Sequence, residues 1–376
     1  MRYLLLGSGK MGKAIAYDLC RSGSSEVTLA DRDVAHAKEL LAWLRTALKP
    51  KTKLAAIPFD AAKPDAAAMK GYDCIISAMP YDYNYGLAKL AISSKANFCD
   101  LGGNSVIVEK ELSLHKEAKA AGVNIVPDCG LAPGMAGLLA VHALAQLGGK
   151  ADSLRIRDGG LPQNPRPPLD YMIVFSVHGL INEYKEKCHV LRDGKPAMVE
   201  PLTGIEDLSF PGFPPLEAAH NSGGISTLCT TLKGKVKDLD YKTVRYKGHF
   251  EKVRLLFDLG FFDERKRGSL SPREMSELIL EERLPSQDKD LVLMRVEARR
   301  GAKRYVLDMV DRFDERTGLT AMMRCTGFPV SAIAQMLAKG EVRKRGAIPQ
   351  ELCIDVTRFM DEMRRRGLVF HERLEG

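Results

Sequence analysis

The chain has 376 residues, of which 45% are hydrophobic and 28% charged, and its formal net charge is +8. That length and composition are typical of a globular protein with two domains, or one large domain, and an ample core. No apolar run reaches the length of a membrane span, no signal peptide is recognisable, and the basic runs near the C-terminal end are interspersed with acids. We therefore expect neither a membrane nor a nucleic-acid partner.

The eight cysteines are scattered along the chain and form no C-x-x-C pair. Several fall in apolar, strand-like runs, which is typical of reduced, buried thiols in a cytoplasmic protein. The sequence therefore predicts a cytoplasmic location and no metal site.

A short apolar strand over Arg2–Leu6 opens the chain, and the pattern predicts a helix over 13–19. The turn between them reads G-x-G-x-x-G. The first glycine of that pattern allows a tight turn, the second lets a pyrophosphate approach the backbone, and the third lets the helix pack closely on the strand. The start of the helix offers N–H groups to the phosphates. The predicted pyrophosphate site consists of Gly7, Ser8, Gly9, Lys10, Met11 and Gly12.

A second strand over 26–30 ends at Asp31, at about the 20-residue distance at which an acid binds the ribose hydroxyls of NAD. A carboxylate there repels the 2′-phosphate of NADP, so the sequence favours NAD. Arg32 keeps NADP as the alternative, because a guanidinium group binds that phosphate.

Further strands and helices alternate up to about residue 127, and this alternation predicts an α/β fold with a doubly wound parallel sheet, the Rossmann architecture. The strands are expected at 53–59, 72–78, 96–101 and 123–126, and the helices at 35–41, 65–70, 85–93 and 109–121. Ligands of such sheets bind beyond the carboxyl ends of the strands. The residues expected there are Asp60 beside the adenine, and Ser77, Ala78, Met79, Pro80, Tyr81, Gly102 and Gly103 towards the nicotinamide.

The pattern changes after Asp128, where glycines and a proline interrupt it and an apolar helix follows over 135–146. Longer strands with alternating apolar and polar residues predict a second α/β domain with a mixed sheet. These strands are expected at 153–157, 184–191, 241–246, 291–299 and 304–311. Helices at 330–339 and 355–366 complete the prediction.

Three segments of the second region, 158–171, 214–227 and 241–249, are rich in glycine, proline and polar residues. We interpret them as turns and loops that reach a ligand, because paired glycines allow close approach of the backbone. Their acids, histidines and arginine suit a zwitterionic substrate.

The runs DLGGN, VPDCGLAPGM, PLEAAHNSGGISTL and YKTVRYKGH, with GGLP and PPLDY in the first of these segments, resemble the saccharopine dehydrogenase-like family. Within that family they are most similar to the lysine 6-dehydrogenase group. The resemblance covers nearly the whole chain. It implies a Rossmann domain over 1–130, a substrate-binding and dimerisation domain over 131–329, and C-terminal helices over 330–376 that pack on the first domain. It also implies a homodimer or a dimer of dimers.

That group implies NAD-dependent oxidative deamination of L-lysine at the ε-carbon. The products are ammonia, NADH and 2-aminoadipate 6-semialdehyde, which cyclises to piperideine-6-carboxylate. The ε-amine must be neutral before hydride leaves, and its ordinary pKa is about 10.4, so the site needs a proton acceptor or a desolvating pocket.

The site residues follow from this chemistry rather than from a family motif. Arg245 is expected to bind the α-carboxylate, and Glu217 or Asp170 the α-ammonium group, while Tyr171 lines the pocket. The candidates for the proton acceptor are His249, His220 and Asp128.

Two alternatives stay open. The same cofactor would serve an imine-reducing dehydrogenase of the saccharopine- or carboxyspermidine-forming type. That enzyme needs a second carboxylate clamp, and Arg166 is the additional arginine in the three segments. The other alternative is a non-catalytic NAD-binding regulator, which a nicotinamide pocket without titratable groups would favour.

Overall fold

The computed structural model describes residues 1–285 and 288–376 and divides into two compact units. Unit 1 comprises residues 1–142, 226–231 and 323–368, and unit 2 comprises residues 143–225, 232–322 and 369–376. These limits differ from the predicted ones at 130 and 329, and the last eight residues belong to unit 2. The assignment of cofactor and substrate to separate domains stays a prediction.

The strands are, in chain order, β1 (Arg2–Leu6), β2 (Glu26–Asp31), β3 (Lys53–Pro58), β4 (Cys74–Ser77), β5 (Asn97–Asp100), β6 (Asn124–Val126), β7 (Ala151–Pro162), β8 (Cys188–Arg192), β9 (Lys195–Val199), β10 (Glu206–Leu208), β11 (Leu216–His220), β12 (Val236–Tyr246), β13 (Asp290–Arg300), β14 (Lys303–Arg312), β15 (Gly346–Ala347) and β16 (Phe370–Glu375).

The α-helices are α1 (Lys10–Arg21), α2 (Val34–Leu48), α3 (Asn84–Ser93), α4 (Ser105–Ser113), α5 (His115–Ala121), α6 (Met135–Gln146), α7 (Val177–Lys185), α8 (Leu228–Thr231), α9 (His249–Asp258), α10 (Pro272–Arg283), α11 (Ala321–Ala338), α12 (Gln350–Cys353) and α13 (Val356–Arg365). Short 3₁₀ helices cover Ala66–Met69 and Tyr81–Tyr83.

Unit 1 contains a seven-stranded sheet in the order β15-β6-β5-β4-β1-β2-β3. Every neighbouring pair in it is parallel. The strand order reverses between β1 and β4, which is the switch point where doubly wound sheets bind dinucleotides. The predicted Rossmann architecture is confirmed.

The predicted strands of unit 1 are confirmed with small shifts. The helices predicted at 35–41 and 330–339 are longer in the structure, as α2 and α11, and the helix predicted at 65–70 is a short 3₁₀ helix. Asp33 accepts the His36 N–H at 3.0 Å and starts α2. The single helix predicted at 109–121 is wrong. Asn104 accepts two N–H groups and starts α4 earlier, and the helical run breaks at Leu114 before α5.

A buried ion pair ties α13 to α1 within unit 1. Arg366 Nε lies 2.8 Å from Asp18 Oδ2, and the two side chains are 4% and 0% exposed. Arg366 also contacts Glu362 at 2.6 Å, and Arg21 contacts the other Asp18 oxygen at 3.3 Å.

We expect Arg366→Ala to lower the free energy of unfolding by about 3–5 kcal/mol, because it leaves a buried carboxylate short of its main partner. Urea unfolding measures the effect. The matched control Arg365→Ala removes an exposed pair with Glu362, and we expect it to cost less than about 1 kcal/mol. Equal losses in the two variants would contradict the role of the buried pair.

Unit 2 contains a nine-stranded mixed sheet with the path β10-β11-β12-β7-β13-β14-β16, to which β8 and β9 are added beside β12. The β12–β7 pair is parallel and the other pairs are antiparallel. The prediction of a second α/β domain with a mixed sheet is confirmed.

Two predictions for unit 2 are wrong. The strand expected at 184–191 begins as helix α7, because Ser176 caps it through the Gly179 N–H and apolar residues at helical spacing bury. The segments interpreted as loops are strand only in part: 158–162 ends β7 and 216–220 is β11. At Gly159 a Cβ would lie 2.2 Å from the Val244 carbonyl oxygen, so this glycine serves close strand packing.

All eight cysteines are free and seven of them are buried, as expected for reduced thiols. Among the described residues, no helix combines the length and the apolar character that crossing a membrane requires.

Candidate cofactor and substrate sites

The glycine turn between β1 and α1 has the geometry of a dinucleotide site. Gly7 has a φ of 97°, and a Cβ on Gly12 would lie 2.1 Å from the Gly7 carbonyl oxygen, so both positions require glycine. At Gly9 a Cβ would meet no heavy atom within 4 Å, and no side chain caps the helix there. The first turn of α1, which includes Lys10 and Met11, therefore lies where a helix N-terminus can bind a phosphate, and these residues fit a pyrophosphate.

Asp31 lies at the carboxyl end of β2, beside this turn. Its Oδ2 accepts the Ser8 N–H at 2.7 Å and the Ser8 hydroxyl at 2.6 Å, and its Oδ1 accepts the Asp33 N–H at 2.9 Å. Burial alone would raise the pKa of Asp31, but these hydrogen bonds outweigh it and hold the pKa below its usual value. Asp31 is thus a fixed carboxylate. Arg32 is exposed.

The predicted nicotinamide-side residues gather at the carboxyl ends of β1, β4 and β5. A Cβ on Gly7 would meet the Ala78 carbonyl oxygen at 3.0 Å and Met79 Sδ at 3.2 Å, and Gly103 faces the Tyr81 ring. The Ser77 hydroxyl instead contacts the buried Asn84 amide oxygen at 2.7 Å, so only its backbone faces the turn region.

The remaining predicted positions of this group lie where the strand ends place them. Pro80 precedes the 3₁₀ helix that begins at Tyr81. Asp60 follows β3 and accepts the Ala62 N–H at 3.0 Å. Since Asp31 pairs in register with Pro58, the ends of β2 and β3 are neighbours.

Asp128 follows β6 and lies against Asp100, at the end of β5, and Gly102. Its side chain is buried, with 3% of the residue exposed, and its φ is 61°. A Cβ on Gly102 would come within 1.9 Å of Asp128 Oδ1. The Ser226 hydroxyl lies beside the carboxyl, although neither Asp128 oxygen has a partner with ordinary hydrogen-bond geometry in the described part of the chain.

The electrostatics of this position favour a neutral Asp128. Burial, followed by the charge of Asp100, raises the pKa of Asp128 to about 8, although the Ser226 hydroxyl opposes the rise. Asp128 therefore exchanges a proton near neutral pH, which a proton acceptor requires.

A short excursion of the chain, residues 226–231, brings Ser226 to Asp128 within unit 1. Glu351 anchors it, because Oε1 accepts the hydroxyls of Thr227 at 2.6 Å and Thr231 at 2.8 Å. Nothing in the sequence marks Glu351 as an anchor, since its partners lie more than a hundred residues away.

Arg245 lies on β12 in the interior of unit 2 with only 2% of its surface exposed. Its guanidinium group is 4.8 Å from the centre of the Tyr171 ring, Nη1 donates to the Val244 carbonyl at 2.9 Å, and Nη2 is 3.9 Å from Glu183 Oε2. The Nε–H has no hydrogen-bond partner in the described structure. Arg245 and Tyr171, which were both predicted to belong to the substrate pocket, are therefore in contact.

Two acids that the sequence analysis missed face this guanidinium. Burial raises the pKa of Glu183 to about 7 and that of Asp158 to about 6, while the charge of Arg245 opposes both shifts. The Tyr241 hydroxyl donates to Asp158. The helical spacing of Glu183 with the buried Leu180 and Tyr184 was the available signal, and the strand predicted at that position concealed it.

His249 is a poor proton acceptor. Its Nδ1–H donates to the Leu169 carbonyl at 2.9 Å, so neutral His249 accepts the Tyr184 hydroxyl at Nε2, also at 2.9 Å. Burial, followed by the charge of Arg245, lowers the pKa of His249 to about 3. The geometry makes His249 the residue that orients Tyr184 beside Arg245.

His220 lies on the opposite face of the sheet from Arg245. Glu217 pairs in register with Arg245, whereas His220 pairs with Lys242, and alternate residues of a strand face opposite sides. His220 Nε2 is 3.6 Å from Asp240, inside a network in which Lys242 and Arg157 bind Glu206 and Asp240. The expectation that His220 joins Arg245 is wrong for this reason.

Glu217 and Asp170 already have partners. Glu217 Oε1 accepts the Phe250 N–H at 2.8 Å, at the start of α9, and Asp170 Oδ2 binds Lys252 at 3.0 Å. Glu183 is therefore better placed than either of them to bind an ammonium group beside Arg245.

In the described ranges, no group of three His, Cys, Asp or Glu side chains has the arrangement of metal ligands.

Comparison with known proteins places the chain in a family. Residues 3–126 match the profile of the saccharopine dehydrogenase NADP binding domain, and residues 130–368 match the saccharopine dehydrogenase C-terminal domain. The apo structure of saccharopine dehydrogenase (L-Glu forming) from Saccharomyces cerevisiae superposes with a TM-score of 0.80, at 21% identity and with full coverage of both chains. This likeness confirms the α/β fold.

Curated relatives agree with these matches. The saccharopine dehydrogenase [NADP(+), L-glutamate-forming] of Schizosaccharomyces pombe is 25% identical over 278 residues, which cover 72% of this chain and 60% of that protein. The Saccharomyces cerevisiae protein of the same name is 28% identical, with 69% and 58% covered. The mouse mitochondrial alpha-aminoadipic semialdehyde synthase is 25% identical, with 72% and 29% covered. The chain spans less than two thirds of these relatives, and it belongs to the saccharopine dehydrogenase family.

Proposed function

We propose that the protein is a nicotinamide-dependent dehydrogenase that oxidises the ε-carbon–nitrogen bond of L-lysine. The observation that carries the substrate class is the buried Arg245 with its unpaired Nε–H, 3.9 Å from Glu183. Unused buried donors are rare, because each costs desolvation energy. A guanidinium beside a carboxylate matches the α-carboxylate and α-ammonium groups of one amino acid.

Unit 1 contains the residues that fit a dinucleotide. The glycine turn and Asp31 would hold this cofactor, which would supply hydride acceptance when bound. Asp128 accepts the proton that the ε-ammonium group loses, or the proton of the water that hydrolyses the oxidised carbon–nitrogen bond. Its pKa of about 8 lets it accept and return a proton near neutral pH.

Saccharopine is the second candidate substrate, because the relatives carry that name. A substrate with more carboxylates calls for a second clamp. Arg166, the additional arginine of the predicted segments, is 67% exposed in its side chain and lies 3.5 Å from Asp288. This position favours the substrate with one carboxylate. The buried titratable groups at Asp128 and Glu183 disfavour a non-catalytic regulator.

The decisive experiment follows absorbance of the reduced cofactor with L-lysine, saccharopine, ornithine and a carboxyalkylated polyamine, each with NAD and with NADP. We expect turnover with lysine and release of ammonia. Turnover with saccharopine but not with lysine would replace the proposal by its second candidate.

We propose NAD as the cofactor, because the fixed Asp31 carboxylate opposes a 2′-phosphate. The relatives and the matching profile are named for NADP, which makes NADP the alternative. We expect Asp31→Ala to weaken NAD binding about tenfold and to leave NADP binding equal or tighter. Calorimetry with each dinucleotide measures this, and Ser8→Ala, which frees Asp31 from one hydrogen bond, is the companion variant. An unchanged preference in Asp31→Ala would contradict the assignment.

The homodimer or dimer of dimers implied by the family resemblance is part of the proposal. Analytical ultracentrifugation of the purified chain distinguishes either from a monomer.

A further inference from the structure

Glu111 is a buried acid that has no role in the proposed reaction. It lies on α4 with no exposed surface, and its carboxyl group lies within hydrogen-bonding reach of the Asp100 carboxyl. Burial raises the pKa of Glu111 well above its usual value, and the nearby charges of Asp100 and Asp128 raise it further. A buried acid of this kind is expensive to keep unless it is neutral.

Asp100 is the acid that Glu111 faces, and its surroundings differ in kind. Its Oδ1 accepts the Gly102 N–H at 2.7 Å and the Asp128 N–H at 3.3 Å. Two backbone donors aimed at one oxygen favour the ionised form. Burial still raises the pKa of Asp100 to about 6, with the Glu111 carboxyl and these N–H groups opposing the rise. At neutral pH the pair therefore consists of a carboxylate and a carboxylic acid.

Asp128 is the third buried carboxyl group beside Asp100 and Glu111, and its side chain packs against Gly102. Gly102, with a φ of 70°, leaves no room for a Cβ beside Asp128 Oδ1. The two Asp128 oxygens are buried and without an ordinary hydrogen bond among the described residues, so they feel the neighbouring charge directly.

We propose that Asp100 and Glu111 are positioning residues for Asp128: the Asp100 carboxylate, held by two backbone N–H groups and by a neutral Glu111, places a fixed negative charge beside the proton acceptor. This inference rests on the proposed role of Asp128. It assigns a different protonation behaviour to each of the three carboxyl groups: Asp100 is ionised, Glu111 is neutral, and Asp128 exchanges a proton.

The other groups that face Asp128 do not cancel this charge. The charge of Glu351 has a smaller effect in the same direction as that of Asp100, while the Ser226 hydroxyl and the Gly103 N–H stabilise the ionised form of Asp128. The charge of Asp100 is thus the strongest charge that raises the proton affinity of Asp128.

The pH titration of carboxylic C=O stretching bands, followed by infrared difference spectroscopy on the intact protein, tests the inference. Asp128→Asn identifies the Asp128 band. We expect this band to titrate near pH 8 in the parent protein and at least about one pH unit lower in Asp100→Asn, because the like charge is gone. Asp100→Ser keeps an acceptor for Gly102 and replaces Asp100→Asn if that variant does not fold.

Glu111→Gln makes the test sharper, because glutamine reproduces a neutral donor of the same size. We expect the Asp128 titration to stay within a few tenths of a pH unit, while one titration-silent carboxylic acid band is lost. The matched control is Glu109→Gln, which removes an exposed acid from the same helix. A shift in Glu111→Gln as large as that in Asp100→Asn, or no shift in the Asp100 variants, would overturn the assignment.

Kinetics separate this inference from the proposed function. If Asp128 accepts the proton, the acidic limb of the kcat/KM profile moves with the infrared titration in the Asp100 variants. Infrared shifts without any loss of turnover in Asp128→Asn would reject the proposed function and leave the electrostatic pair intact. Loss of turnover in Asp128→Asn with no infrared shift in the Asp100 variants would support the proposed function and reject the role of Asp100.

Discussion

Replacing Asp128 by asparagine is expected to lower kcat by about 10³-fold and to leave the affinity for the dinucleotide within twofold. The side chain keeps its size but loses its ability to accept a proton, and such groups typically contribute about 10² to 10⁴ in rate. Steady-state kinetics and calorimetric titration with the cofactor measure the two effects on the same preparation.

The same substitution is expected to stabilise the protein, and the sign follows from the raised pKa. Unfolded Asp128 loses its proton near pH 4, whereas the folded group keeps it until about pH 8. The folded state binds more protons across that window, so the free energy of unfolding falls as pH rises from about 4 to 8. Asparagine carries no such penalty.

The free energy of unfolding of Asp128→Asn should therefore exceed that of the parent protein only slightly at pH 4. Above pH 8 the difference should reach a few kcal/mol, which corresponds to about 5 °C in Tm. Calorimetric melting across this pH range measures it. Asp73→Asn, at a less buried acid of the same unit, is the control and should show no such widening gap. The role of Asp128 would be contradicted if the stability difference between Asp128→Asn and the parent protein were the same at pH 4 and above pH 8, or if the variant retained its turnover.

Arg245→Met is expected to raise KM for L-lysine about 100-fold and to leave KM for the dinucleotide unchanged. A charge-assisted hydrogen bond to a carboxylate is worth about 1.5–3 kcal/mol, and the arginine fork makes two of them. Because Glu183 and Asp158 then lose the charge that holds their pKa values down, the variant should also unfold more readily above pH 7.

A substrate that lacks the carboxylate gives the sharper test. The parent protein should prefer lysine strongly over 1,5-diaminopentane, and Arg245→Met should reduce the ratio of their kcat/KM values towards one. Arg254→Met, on the exposed face of α9, is the matched control. An unchanged ratio in Arg245→Met would show that Arg245 serves the structure rather than substrate recognition.

The sequence predicts the fold of unit 1 and its glycine turn well because both depend on local signals. Buried parallel strands are continuous apolar runs, and the roles of Gly7 and Gly12 follow from contacts within a few residues of each. Asp31 likewise sits at a strand end whose position the spacing reveals.

The site in unit 2 could not be predicted in the same way. Its key pair, Arg245 and Glu183, is separated by about sixty residues and meets only when β12 packs near α7. In addition, 216–220 was interpreted as a loop. Only a strand places Glu217 and His220 on opposite faces of the sheet, so the sequence did not show that they are separated. In both cases the decisive information is which face of an element is buried, and this depends on tertiary packing.

The ion pair between Asp18 and Arg366 spans 348 positions of the chain. During synthesis the amino-terminal strands of the parallel sheet emerge long before their last partners. The edge strand β15 and the arginine that balances Asp18 are made only near the end. Until then the buried acid of α1 has only Arg21 of the same helix as a counter-ion, and the sheet has an open edge at β6. Unit 1 therefore reaches its full stability only after residues 346–366 have joined it.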